Sequence, residues 1–163
     1  MAKARDIPGL EPDTMFALAA AATVRVRAVE LFQQSADVLD TSDIERVHDM
    51  RVASRRLRAV LEIFATCFPP ELYRPVLRDV KALADALGTR RDPDVQLDAL
   101  VRLRAAMGPG EQPGLEVFAR RLRDEQEAGN HTLATALERA REHDLRGRLA
   151  ALVTAVEVEV AHG

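Results

Sequence analysis

His48, Arg51, Arg55 and Arg58 recur at 3-4-3 spacing within the segment ERVHDMRVASRRLR. On a helix, at about 100° per residue, the four fall within roughly 80° of one another and form one stripe. A guanidinium presents a planar fork of donors matched to phosphate oxygens, and its charge does not titrate away. Histidine donates from a neutral or a charged ring. Like charges at these spacings repel by about 0.2–0.5 kcal/mol per pair. Asp49 lies off the stripe, so the helix is expected to offer almost no acidic relief. Such a row suits a linear, phosphate-rich anion. It equally suits a solvated face whose arginines pair with acids of neighbouring helices, and spacing alone leaves both open. His48 by itself also fits a hydrogen-bonded structural histidine.

Further along, Arg78 and Lys81 stand one turn apart, with Lys81 set among Val80, Leu83 and Ala84. A lysine in that run must extend its stem past apolar neighbours to reach water. It could face the same groove as the stripe or be an ordinary surface lysine. Other chemistries find less support. Asp92 and Asp94 with His48 lack a standard metal-ligand spacing, so no metal and no cofactor are expected. His131 and His143 read as surface histidines. Cys67, the single cysteine, reads as a small packed hydrophobe. The glycines of GPGEQPG, residues 108–114, mark a turn, since no Lys-Ser/Thr follows them as a phosphate loop requires. No nucleophile arrangement emerges, and a non-enzymatic protein is expected.

The elements that must position the stripe are marked by helix signals. Residues 1–12 hold two prolines and read as a flexible leader, with a single domain over residues 13–163. Asp13 can cap a first helix running to about residue 38. Ser42 with Glu45 forms a capping-box pattern ahead of a second helix, over about residues 43–66. Its apolar seam is Met50, Ala53, Leu57, Val60, Leu61 and Phe64, which sets the stripe beside the core; Arg56 points elsewhere. Pro70 and Glu71 open a third helix, expected to end at Gly88 as a C′ residue. Asp92-Pro93-Asp94 reads as the start of a fourth, fading into the 108–114 loop. A fifth begins near Pro113, with a break or bend at Gly129-Asn130, and Asp144 caps a sixth. No segment alternates with period two. The fold class is therefore all-α, an antiparallel bundle of five to six helices.

Bulk composition bounds the partners. Hydrophobic residues make up 47% and charged residues 30%, which excludes a disordered chain. Net charge is −3, yet residues 46–104 carry 12 Lys/Arg against 8 Asp/Glu, a local excess of +4. Base stacking has one Tyr and no Trp to draw on, which disfavours nucleic acid as the partner. One cysteine, no apolar signal core and no long apolar run lead to a cytoplasmic expectation with no membrane.

The block VHDMRVASRRLR at 47–58, Lys81 in the next helix and LGTRRDPDV at 87–95 closely resemble the CHAD family, the conserved histidine α-helical domain. The resemblance spans roughly residues 13–160. It implies a helical bundle that binds inorganic polyphosphate through basic residues lining a cleft, often in association with polyphosphate granules. Carried over by position, it implies that His48, Arg51, Arg55, Arg58 and Lys81 contact phosphate, and Arg78, one turn from Lys81, is expected to bind with them. Arg91 is a weaker anion candidate, forming with Asp92 mainly a helix-start and packing device. The family domain usually contains two similar halves, and the 47–58 block has no internal repeat here. The expectation is half of a CHAD-type domain, completed as a homodimer whose isologous interface supplies both walls of the groove. The rival functions are a hydrolase or accessory subunit acting on polyphosphate or triphosphate, which needs carboxylates near the stripe that the sequence does not reveal, and a nucleic-acid backbone binder. Whether Arg120, Arg121 and Arg123 join the groove is left open.

Overall fold

The computed structural model describes residues 3–108, 110 and 112–162. Among them are five α-helices and no strand: α1 (Phe16–Gln33), α2 (Ile44–Ile63), α3 (Pro70–Ala106), α4 (Gln112–Glu142) and α5 (Leu145–His162), with a 3-10 turn at Ala65–Cys67. The expected all-α bundle is what forms. Each of α1 to α3 packs against the helix that follows it, and α5 packs mainly beside α1 to close the bundle. Leu31, Met50, Leu57, Leu61, Leu83, Leu87, Leu133, Leu145, Leu149 and Leu152 are fully buried and give every helix a share of one core. No described helix is long and apolar enough to cross a membrane.

The helix count is the main correction. The chain does not stop at Gly88 and restart at Asp92; α3 is a single helix of 37 residues with Pro75 and Pro93 inside it. Proline in a helix interior costs about 3 kcal/mol, because it removes a hydrogen bond and crowds the carbonyl four residues back. Packing outweighs that signal here. Leu87, Arg90, Pro93 and Asp94 are all buried, and the carbonyl that Pro93 leaves without its helical partner, that of Thr89, faces Gly129 of α4. Nor does α4 break at Gly129-Asn130. Gly129 is buried where the two helices cross, and a Cβ there would lie 3.0 Å from Arg90 Cα and 3.2 Å from the Thr89 oxygen.

A buried ion pair sits at this crossing. Arg90 and Asp94, one turn apart, are both wholly inaccessible and bonded to each other. Arg90 Nε donates to Asn130 Oδ1 at 3.2 Å, and Gln126 Nε2 donates to Asp94 Oδ1 at 2.6 Å. Asn130 Nδ2 donates onward to the Leu39 carbonyl at 2.9 Å, tying in the loop between α1 and α2. Beyond this network the α3–α4 pair continues as a two-helix arm, with no buried residue between 95 and 106 or between 112 and 121 among those described.

The caps differ in detail. Met15, not Asp13, occupies the α1 N-cap position and makes no side-chain cap. The helix ends at Gln33, short of residue 38, and Asp37 then takes a left-handed φ of 51°. Asp43 rather than Ser42 caps α2, accepting from the Glu45 N–H at 3.1 Å from an extended backbone. Asp144 caps α5 as expected, its Oδ1 accepting from the Gly147 N–H at 3.1 Å. Within the segment expected to be a leader, the Arg5 N–H donates to Glu30 at 2.6 Å and its carbonyl accepts from Arg27 at 3.0 Å.

Asp79 joins α3 to the α4–α5 junction. It is buried and bonded to Arg148, with His143 Nδ1 at 3.0 Å. His143 is at the surface, as expected, and is also a structural partner of Asp79. Burial would raise the Asp79 carboxyl, but the hydrogen bonds from Arg148 and His143 outweigh it and hold the pKa below the ordinary value.

Two outcomes follow. Gly129→Ala pushes a methyl into the α3 backbone and should lower unfolding free energy by about 1–3 kcal/mol, as overpacking does, although alanine is the better helix former. A denaturant titration checks this. A depressed folded-state pKa contributes stability that is present above the unfolded value of about 4 and is lost as pH falls through the folded one. Asp79→Asn should therefore lower stability near neutrality and flatten its decline below about pH 4, read from denaturant midpoints across that range.

Candidate functional site

The stripe forms as its spacing requires. Val47, Met50, Ala53, Ser54, Leu57 and Leu61 are buried and turn one side of α2 inward. His48, Arg51 and Arg58 are half-buried beside that side, and Arg55 is exposed. The α2 helix runs antiparallel to α3, and two contacts fix the register. Lys81 Nζ lies 3.0 Å from Glu62 at the end of α2, and Arg91 Nη1 donates to the Ile44 carbonyl at 3.4 Å at its start. Between these tie points α3 carries Lys81, Ala84, Gly88 and Arg91 on one arc, again at 3-4-3 spacing. Two parallel rows result, four basic residues on α2 beside two basic and two small residues on α3.

His48, Arg51 and Arg55 make no side-chain hydrogen bond or ion pair with any described residue. The repulsion between Arg51 and Arg55 therefore has no paired counter-ion, whereas His48 lies beside the carboxylates of Glu45 and Asp49. The ends differ. Glu62 bonds Arg58 at 3.1 Å and Lys81 at 3.0 Å, so an internal counter-ion serves two expected phosphate contacts. Lys81 and Arg58 together hold the Glu62 carboxyl below its usual range. Expecting almost no acidic relief was incorrect: Glu62 is four residues beyond Arg58 and on the stripe's own arc. Arg91 is only 15% exposed, with its Nη2 3.8 Å from Glu45, and it tethers α3 to the start of α2. Arg91 thus has the packing role expected of it, whereas Asp92 is exposed, and the fully buried pair at the α3–α4 crossing is Arg90 and Asp94. Arg78 stands outside the two rows, 71% exposed and 4.0 Å from Asp79.

Carboxylates also appear where the sequence reveals none. Glu45, His48 and Asp49 bring one ligand atom each to within 4.8 Å of one another. Successive helical positions i, i+3 and i+4 explain the grouping. The trio has the donor set of a divalent-cation site at the edge of the stripe.

The rows form an open face. Five cavities of about 330 to 470 Å³ lie elsewhere, for example between α1 and α5 and between the outer parts of α3 and α4, and none is lined by any of the seven expected site residues. Arg123 lines the cavity between α3 and α4, and Arg121 pairs with Glu125 at 3.0 Å. Neither belongs to the face.

The CHAD domain family model matches residues 22–162, nearly the whole chain. No curated protein matches the chain, and no solved structure does. The protein belongs to the CHAD domain family, as the motifs at 47–58 and 87–95 indicate.

Glu62→Gln should release Arg58 and Lys81 together. Exposed ion pairs are worth about 0.2–1 kcal/mol each, so the loss of both should raise any affinity of this face for a phosphate polymer by roughly two- to thirty-fold at constant salt, as read by calorimetric titration with polyphosphate.

Proposed function

From its membership of the CHAD domain family and the cationic face of α2 and α3, we propose that this protein binds inorganic polyphosphate electrostatically and does not turn it over. The observation that carries the proposal is the run of His48, Arg51 and Arg55, which share one face and lack any partner among the described residues. CHAD domains are known in polyphosphate-related proteins, which supports the choice of polymer. Phosphate oxygens would replace the missing counter-ions, and each guanidinium offers a two-point contact. Lys81 and Arg58 would join by exchanging Glu62 for phosphate. Arg78 and Arg91 would add field more than contact. The bound chain would stabilise the fold by linkage.

An open face holds a polymer from one side. A second copy, docked about a two-fold axis, would supply the opposite wall and make the functional unit a homodimer. We place the complex in the cytoplasm, with association to polyphosphate granules following from the affinity for the polymer. Nucleic acid, the other phosphate polymer, would gain little beyond backbone contacts from a face that offers no Phe, Tyr or Trp among its seven candidate residues and only the His48 imidazole for stacking.

One observation favours a second reading. Glu45, His48 and Asp49 could hold a divalent cation beside the stripe, which a hydrolase acting on polyphosphate would need.

Calorimetric titration with polyphosphate of defined length, set against RNA of equal charge, tests the proposal. Binding should favour polyphosphate and weaken steeply with salt. Arg51→Ala with Arg55→Ala should cost roughly ten-fold or more, the scale of lost charge-assisted hydrogen bonds. Equal binding by the double variant would remove the assignment. Phosphate release in Mg²⁺ or Mn²⁺ that Asp49→Asn abolishes would favour the hydrolase. Light scattering that shows a monomer in both free and bound states would remove the dimer.

A further inference from the structure

We propose that Gly88 is the specificity-determining position of this face. With Ala84, it keeps a low floor between the basic rows that admits a bare, unbranched phosphate chain and excludes a backbone carrying sugars and bases. The inference rests on the polyphosphate reading and extends it from charge to shape.

Gly88 lies near the midpoint of α3, eighteen residues from either end. Glycine in a helix interior costs about 0.8–1.0 kcal/mol relative to alanine. Nothing within the fold requires it. Its φ is not left-handed, and a Cβ built there meets no atom within 4 Å. Gly129, the buried glycine of α4, is different, since the α3 backbone lies against it. Local propensity and internal packing thus both favour a larger residue at 88, and the space above it opens outward.

Register says what that space adjoins. The Lys81–Glu62 and Arg91–Ile44 contacts bracket the antiparallel pair, and Gly88 falls between them on the arc of Lys81 and Arg91. Stepping seven residues in from the first tie reaches Arg55 and three in from the second reaches Val47, so Gly88 lies beside the 47–55 stretch of α2 that carries His48, Arg51 and Arg55. Neighbouring helix axes lie about 8–10 Å apart, so a long side chain at 88 would fill the space between rows. Without one, an anion can sit low enough for cations of both helices to reach it at once. Inorganic polyphosphate presents oxygens on every side and fits such a floor. A nucleic acid presents phosphate on one side and a sugar with its base on the other.

The test is a pair of uncharged variants, Gly88→Leu and Gly88→Gln, with Ala99→Leu on the exposed outer part of α3 as the control. Both Gly88 variants introduce better helix formers into open space and should melt no lower than the parent. Their affinity for defined-length polyphosphate should fall about ten-fold, the loss of one charge-assisted contact, while Ala99→Leu leaves it unchanged. Weak RNA binding should change less, so the preference for polyphosphate narrows. Parent-like polyphosphate affinity in either folded variant overturns the role of Gly88 and leaves the polyphosphate reading standing. A parent protein that binds no polyphosphate overturns both.

Discussion

The buried pair of Arg90 and Asp94 holds α3 to α4, and the geometry of the face depends on it. Neither side chain reaches water, and the pair is closed on one side by Asn130 and Gln126. Removing one partner of such a pair typically costs about 3–5 kcal/mol, because the other charge is left buried alone. The pair forms only if Arg90 and Asp94 stay one turn apart on a continuous helix, and the burial of Leu87 and Pro93 and the close approach of Gly129 favour the same continuity. Continuity matters because Lys81 and Arg91 lie on opposite sides of Gly88. A break there would let the two cations rotate independently, and they would no longer share an arc facing α2.

Charge along α2 is graded. Its centre carries Arg51 and Arg55 without ion-pair partners among the described residues, one end is moderated by Glu62, and at the other His48 lies next to Glu45 and Asp49. Carboxylates at both ends confine the uncompensated field to about two helical turns. The protein as a whole carries −3, so no overall positive charge draws an anion to it, and attraction is local to stretches such as this one. Such contrast directs encounter as well as affinity.

Periodicity carried much of this into view. The α2 seam and stripe, the cap at Asp144 and the start of α3 at Pro70 are local signals, each written within one or two turns of sequence. The continuation of α3 is not local. Gly88 and Asp92-Pro93-Asp94 carry strong stop and start chemistry, and only contacts with residues some forty positions away, Gln126, Gly129 and Asn130, reverse it. The same holds for the arginine that packs. Arg90 and Arg91 are adjacent and chemically identical, and burial against α4 decides which is structural. Glu62 is a different case, since its place on the stripe follows from counting four residues past Arg58. The trio around His48 was similarly within reach, as i, i+3 and i+4 on one helix.

The two-helix arm beyond the Arg90 network has its own consequence. Its outer part leaves Val101 and Val117 69% and 67% exposed, with Phe118 at 45%, and its ion pairs, such as Arg104–Glu116 at 2.7 Å, lie at the surface. An isolated helical pair of that kind contributes little cooperative free energy. The tip can thus fray and reclose while the bundle stays intact, so amide protons there would exchange with solvent far faster than those of α2. The molecule is then two units of unequal permanence, a durable body that carries the charged face and a labile extension anchored to it at a single buried crossing.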